Sequence, residues 1–285
     1  MKRILILGGS GMLGHQLYKT LKKKYDVKVT LRGNYDSVKK YEIFQEEDVR
    51  AFVDALDFDS IIRSLASYKP DIIINCIGLI KQLPISTDPL SAITINSLLP
   101  HRISLICAAS KIRMIHISTD CVFSGKNGNY SEEDLSDAED LYGRSKYLGE
   151  VSYKPHTVTL RTSIIGREIK TKLGLVEWFL SQENKVEGFK KAIFSGFTTN
   201  ELAKVIADFV IPNEELTGVY NVSTDPISKY DLLTLVKNAF KKEIEIIPNE
   251  SFAIDRSLNS DKFRKLVNYT PPSWNNLITD MKNDN

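Results

Sequence analysis

The sequence predicts an α/β fold, a doubly wound parallel sheet with a small C-terminal cap, and three observations carry that prediction. Short β-branched runs such as Asp71–Cys76 (DIIINC) recur between amphipathic stretches and are continuous rather than alternating, the pattern of a parallel sheet covered on both faces. The first such run passes directly into a glycine-rich turn that opens a helix. The strand-helix rhythm then breaks after Gly166.

Taken in order, Lys2–Leu7 reads as a buried strand, Gly14–Lys24 as a helix and Asp26–Leu31 as a second strand. Ser60–Tyr68 is a helix that Lys69-Pro70 ends, and Asp71–Cys76 is the next strand. Asn96–Ser110 reads as a helix, Arg113–Ser118 as a strand, Leu141–Val151 as a helix and Thr157–Arg161 as a strand. Beyond Gly166, Gly174–Ser181 looks helical, and Thr198–Glu201 is a capping-box pattern opening a helix to Phe209. Gly218–Val222 is one more strand, and Ser228–Asp231 caps a helix that runs to Phe240. A short amphipathic segment follows Pro271-Pro272. The later region has too few strands for a sheet of its own. The expected division is therefore a nucleotide-binding unit of residues 1–165 plus 201–225, and a cap of residues 166–200 plus 226–285.

Composition excludes several classes. The 285 residues carry 38 Lys plus Arg against 36 Asp plus Glu, a formal net charge of +2. A dedicated nucleic-acid binder carries a larger basic excess. No apolar run approaches ~18 residues, so no membrane span is expected. The N-terminal run Ile4–Leu7 is too short for a signal sequence. Cys76, Cys107 and Cys121 are scattered with no CxxC pair, which suits a reducing cytoplasm and offers no metal site.

The turn Gly8-Gly9-Ser10-Gly11-Met12-Leu13-Gly14 follows a strand and precedes a helix. Glycines there let the backbone approach a pyrophosphate, and the helix N-terminus presents free N–H groups to the anion. This is the Rossmann dinucleotide fingerprint in its required context. The second strand ends at Leu31-Arg32, where an NAD site usually has an acid for the ribose 2′-OH. Arg32 suits a 2′-phosphate, so the expected cofactor is NADP(H); the plainer reading is a solvated arginine. Asp57, beside Phe58, fits either an adenine contact or an N-cap.

Ser118-Thr119-Asp120 follows a strand, and strand C-termini are where open α/β sheets place ligands. One step later comes Tyr142-Gly143-Arg144-Ser145-Lys146. On a helix, Tyr142 and Lys146 share a face, and an adjacent ammonium would lower the phenol pKa toward neutrality. Thr119 would complete the hydrogen bonds around a reacting carbonyl oxygen. The same spacing in Tyr18/Lys22 and Tyr35/Lys39 lies too early in the chain for this role.

With these residues in view the chain resembles the extended short-chain dehydrogenases/reductases. Within them it is similar to the dTDP-4-dehydrorhamnose reductases and related nucleotide-sugar 4-keto reductases. The likeness is carried by GGSGMLG (Gly8–Gly14), NCIG (Asn75–Gly78), HISTDCVFSG (His116–Gly125), YGRSKYLGE (Tyr142–Glu150), LRTSIIG (Leu160–Gly166), SGFTTNELA (Ser195–Ala203) and GVYNVS (Gly218–Ser223). It implies Thr119, Tyr142 and Lys146 as the catalytic set. It implies cofactor contacts from Gly8, Ser10, Gly11, Met12, Leu13, Gly14, Arg32, Asp57, Phe58, Cys76, Ile77, Gly78, Asn96, Thr162 and Ile164, together with Tyr142 and Lys146. Substrate contacts are implied for Ser118, Thr119, Asp120, Cys121, Phe123 and Tyr142. Asn96 matches a helix asparagine linked to the active-site water network, and reads equally as an N-cap.

The resemblance implies NADPH-dependent reduction of the 4-keto group of a nucleotide-linked 6-deoxyhexose. The partner is a nucleotide sugar, with no nucleic acid and no membrane, and the expected location is cytoplasmic; a homodimer is left open. Related 4,6-dehydratases carry an acid directly after Thr-Asp, where this chain has Cys121, which speaks against dehydration. An epimerase of the same superfamily and an NADP-binding regulatory subunit are the alternatives. The basic residues Arg167, Lys170 and Lys172 fit either a diphosphate contact or a solvated loop.

Overall fold

The computed structural model describes residues 1–284. In chain order the first strands are β1 (Arg3–Leu7), β2 (Asp26–Thr30), β3 (Val49–Arg50), β4 (Ile72–Asn75), β5 (Arg113–Ile117) and β6 (Thr157–Arg161). They are followed by β7 (Ile164–Ile165), β8 (Lys185–Phe194), β9 (Phe197–Thr198), β10 (Gly218–Asn221), β11 (Ile227–Ser228) and β12 (Glu245–Asp255). The helices are α1 (Met12–Leu21), α2 (Asp36–Lys39), α3 (Phe58–Tyr68), α4 (Pro89–Ala92), α5 (Leu99–Ser110) and α6 (Leu141–Leu148). Then come α7 (Leu175–Ser181), α8 (Thr199–Val205), α9 (Lys229–Phe240), α10 (Asp261–Val267) and α11 (Trp274–Asn283).

Seven strands form one sheet in the order β10-β6-β5-β4-β1-β2-β3. Every neighbouring pair in it is parallel, with Leu5 of β1 in register with Lys28 on one side and Ile73 on the other. This is the doubly wound sheet expected. Its two faces are built by alternation along β1: Ile4 and Ile6 join the core under α1 and α8, while Leu5 and Leu7 join the core under α3 and α5. The chain proceeds from β1 outward to β2 and β3, then returns to continue through β4 on the other side. The C-terminal ends of β1 and β4 therefore border the switch-point crevice where such sheets bind ligands.

Two expectations are corrected here. The later region does have its own sheet: β11, β8 and β12 pair as three strands over a separate core containing Val186, Phe194, Leu232 and Met281. Its long strands read poorly because β12 (EIIPNESFAID) is mostly exposed and the alternation of β8 (KVEGFKKAIF) is interrupted by the charged pair Lys190-Lys191. The helix before β5 also starts earlier than Asn96. It runs from Pro89 to Ser110, with a π-helical turn at Ile93–Leu98 between α4 and α5. These 22 residues, at mean hydropathy 1.2, meet the length and composition of a membrane span. Half of that apolar window is buried, with Leu99, Ile103 and Cys107 packed on the main sheet, so here it serves as a core helix.

Candidate active site

The glycine turn links β1 to α1 with little room to spare. Gly8 has φ +86°, a conformation open to glycine, and a methyl group at Gly14 would lie 2.2 Å from the Gly8 carbonyl oxygen. Gly9 N donates to the Thr30 carbonyl at 2.9 Å, locking the turn to β2. The first backbone bond of α1 runs from His15 N to Gly11 O at 3.2 Å, and no side chain caps the amides before it. Met12, Leu13 and Gly14 thus present open N–H groups at the positive end of a helix. A nucleotide pyrophosphate fits this cradle. Arg32, just past β2, is exposed and makes no hydrogen bond or ion pair among the described residues. Ser10 is half-buried in the turn.

Other expected cofactor residues divide. Asp57 sits at the N-cap position of α3, but its carboxylate makes no capping bond and pairs with Arg63 at 3.1 Å. Phe58 is buried beneath the guanidinium of Arg102, 3.8 Å from its ring centroid. Ile77 and Gly78 leave β4 at the crevice with Cys76, whose thiol burial pushes up to about 12. Thr162 is buried and Ile164 half-buried where the chain leaves β6.

Asn96 is not an N-cap. It lies in the π-helical turn, buried, where Oδ1 accepts from Leu79 N at 2.8 Å and Nδ2 donates to Ser145 Oγ at 3.2 Å. It thereby clamps the loop after β4 to α6. A methyl group at Gly78 would sit 3.5 Å from Asn96 Oδ1 and 3.8 Å from Lys146 Nζ, so this loop passes directly over the lysine.

Asp140 caps α6, accepting from Gly143 N at 2.7 Å. Tyr142 and Lys146 then fall on one face. Thr119 follows β5, where its hydroxyl donates to Asp120 Oδ1 and accepts from Cys121 N, both at 3.1 Å. The Tyr142 phenol lies beside that same hydroxyl. The sequence-expected set of Thr119, Tyr142 and Lys146 is brought to one place at the end of β5.

The electrostatics differ from expectation. Burial pushes the Tyr142 phenol up, and Cys121, Asp120 and Asp140 push the same way; Thr119 opposes them. Lys146 is not among the leading influences on the phenol; its ammonium donates to the Ile117 carbonyl at 2.8 Å. Burial lowers Lys146 itself to about 8, with Glu150 opposing. Asp120 is raised by burial, with Arg256 opposing, and the Cys121 thiol is pushed by burial to about 12. That thiol is a proton-holding, unreactive group.

Two expected substrate residues are turned away. Ser118 Oγ donates to Glu150 Oε1 at 2.7 Å in the interior. Phe123 is fully buried and stacks on Tyr130 with ring centroids 4.2 Å apart. The basic loop is also reassigned: Arg167 pairs with Glu177, and Lys170 Nζ donates to Ser37 Oγ at 3.2 Å. Sequence reasoning missed Lys81. Its ammonium pairs with Asp140 at 2.6 Å and lies 5.5 Å from the Tyr142 ring centroid. It also missed Arg256, whose guanidinium faces Asp120 and donates to the Phe123 carbonyl at 2.8 Å. Neither carries a local signal, since both reach the site from distant loops.

A seven-stranded Rossmann sheet, an open glycine cradle and a Thr-Tyr-Lys cluster at the end of β5 define an extended short-chain dehydrogenase/reductase type of protein. The chain belongs to the RmlD substrate binding domain family, whose model matches residues 1–284. It is 26% identical over 260 residues to the dTDP-4-dehydrorhamnose reductase of Aggregatibacter actinomycetemcomitans, covering 87% of this chain and 83% of that one. It is 25% identical over 253 residues to methionine adenosyltransferase 2 subunit beta of Danio rerio, covering 84% and 74%. In fold it is similar to the dTDP-4-dehydrorhamnose reductase of Bacillus anthracis in complex with NADP, with TM-score 0.81, 20% identity and coverage of 100% and 99%.

Proposed function

We propose that the protein is an NADPH-dependent reductase of the 4-keto group of a nucleotide-linked 6-deoxyhexose. Thr119, Tyr142 and Lys146 are its catalytic set. The observation that carries this reading is the convergence of Thr119, Tyr142 and the buried Lys146, whose ammonium donates to the Ile117 carbonyl at the end of β5, at the C-terminal edge of a sheet whose first turn is an open pyrophosphate cradle. Family membership and the dTDP-4-dehydrorhamnose reductases among its relatives support it. Bound NADPH supplies the hydride. The chain's part is to hold the keto oxygen against Thr119 and Tyr142 and to pass the phenolic proton to that oxygen, so that C=O becomes CH–OH. Burial keeps Tyr142 protonated at neutral pH, the form a proton donor needs. Lys146 would hold the cofactor ribose, and Arg32 would take the 2′-phosphate when the cofactor is bound. Residues 1–165 plus 201–225 serve the cofactor and the remainder serves the sugar nucleotide. The three unpaired cysteines support a cytoplasmic setting.

A second reading, a non-catalytic NADP-binding subunit, draws on the likeness to methionine adenosyltransferase 2 subunit beta. NADPH oxidation measured against 4-keto-6-deoxy sugars on dTDP, UDP and GDP separates the two. Turnover with one of them supports the reductase. Tight NADPH binding without turnover on any supports the subunit.

A further inference from the structure

Behind Lys146 lies a buried ionic cluster that the chemistry above does not use. Glu150 follows the end of α6, one turn beyond the lysine. Its side chain is 4% exposed and that of Arg161 is 5% exposed. Arg161 Nε donates to Glu150 Oε1 at 2.9 Å and Nη2 donates to Oε2 at 2.8 Å, while Ser118 Oγ donates to Oε1 at 2.7 Å. Three segments meet on this carboxylate: the end of α6, the end of β6 and the strand end that leads into Thr119.

Stability alone does not account for it. A buried ion pair loses in desolvation much of what it gains in attraction, and well-packed apolar residues often hold the same elements as firmly. What apolar residues lack is a charge, and Glu150, four residues after Lys146, is the leading charge acting on the lysine. The other groups around the lysine supply none: His116 in β5 is held neutral by burial, and the Cys76 thiol at the end of β4 is pushed to about 12. Tyr142, on the same helix, is also pushed up and stays protonated.

We propose that Glu150 is a positioning residue for the reaction: gripped by Arg161 and Ser118, it sets a fixed negative charge behind Lys146 that keeps the ammonium charged, and it anchors the strand end carrying Thr119. The proposal rests on the role given above to Lys146. Burial draws the lysine down to about 8, and Glu150 is the first of the groups opposing that fall. An opposite charge at close range shifts a partner by ~1–3 pH units. Glu150→Gln keeps the shape, removes the charge and leaves the Arg161 cation unbalanced, so Lys146 should lose its proton near or below neutral pH.

The test titrates Lys146 by NMR in lysine-labelled protein without cofactor, the resonance being assigned with Lys146→Met. In Glu150→Gln the transition should fall by a unit or more, and Glu150→Asp should bring it back toward the parent value. The Glu150→Gln/Arg161→Met double variant removes both charges and guards against misfolding; its transition should stay low. In turnover assays the alkaline limb of kcat should move down by the same amount, with KM for the keto substrate changing less than threefold. An unmoved Lys146 transition in a folded charge-removed variant overturns the proposal. If Lys146→Met itself turns over like the parent, the reading of Lys146 fails instead, and the cofactor-free titration still decides whether Glu150 governs the lysine.

Discussion

Tyr142 lies beside Thr119 and is overlain by Lys81, and burial keeps its proton in place. Tyr142→Phe should retain fold and cofactor binding and lose about 10²–10⁴ in turnover, the usual cost of removing a general acid. Steady-state kinetics alongside a cofactor titration checks this. Tyr18→Phe and Tyr35→Phe are the controls, since Tyr18 donates to Asp48 at 2.7 Å and Tyr35 to the Phe44 carbonyl at 3.1 Å, both away from the site. They should stay within about threefold of parent turnover. Lys146 sets the pH response. An ammonium with pKa about 8 is charged below that value, so cofactor affinity and kcat should hold at neutral pH and fall as pH rises through about 8. A pH–rate profile flat to ~10, the ordinary lysine value, would contradict this. Arg32→Ala should weaken NADPH binding about tenfold or more and leave NADH nearly unchanged, because a charge-assisted bond contributes ~1.5–3 kcal/mol. Equal losses in calorimetric titrations of both cofactors would remove Arg32 from the 2′-phosphate site.

Helix α6 is the element on which the site depends, and it is docked closely. Ser97 Oγ donates to the Ser145 carbonyl at 2.8 Å, and a methyl group at Gly149 would lie 1.9 Å from the Asn96 carbonyl oxygen. Gly149→Ala should therefore push the end of α6 off the π-helical turn, at a cost of about 1–3 kcal/mol. Thermal unfolding should show a lowered Tm, and kcat should fall because Lys146 and Glu150 flank this position. The motif spacing made α6 readable, since Tyr142 and Lys146 four residues apart on a capped helix share a face. The π-helical turn was not readable. Asn96 looked like a helix start because Pro89–Ile95 carries no strong helical period, and its true partners, Leu79 and Ser145, are distant in sequence. Lys81 and Arg256 escaped for the same reason: the pairing of Lys81 with Asp140 and the pull of Arg256 on Asp120 arise only when separate loops meet.

At the scale of the molecule, the main sheet was legible because its strands are buried on both faces and so write themselves as unbroken β-branched runs. The cap sheet was not, because β12 faces solvent along most of its length and the buried alternation of β8 is broken by Lys190-Lys191. The placement of the site at the strand ends followed from topology, whereas its charges followed from burial, which no local pattern records. The central claim is that the whole assembly delivers a hydride to C4 of a sugar and a proton to its oxygen. The most direct measurement supplies NADPH deuterated at the transferring position together with a 4-keto-6-deoxy nucleotide sugar, and reads the product by mass spectrometry and NMR. The account predicts one deuterium, located at C4, in a product with a hydroxyl there, for the parent and not for Tyr142→Phe. A product without deuterium, or an isomerised sugar with NADPH unconsumed, would contradict it.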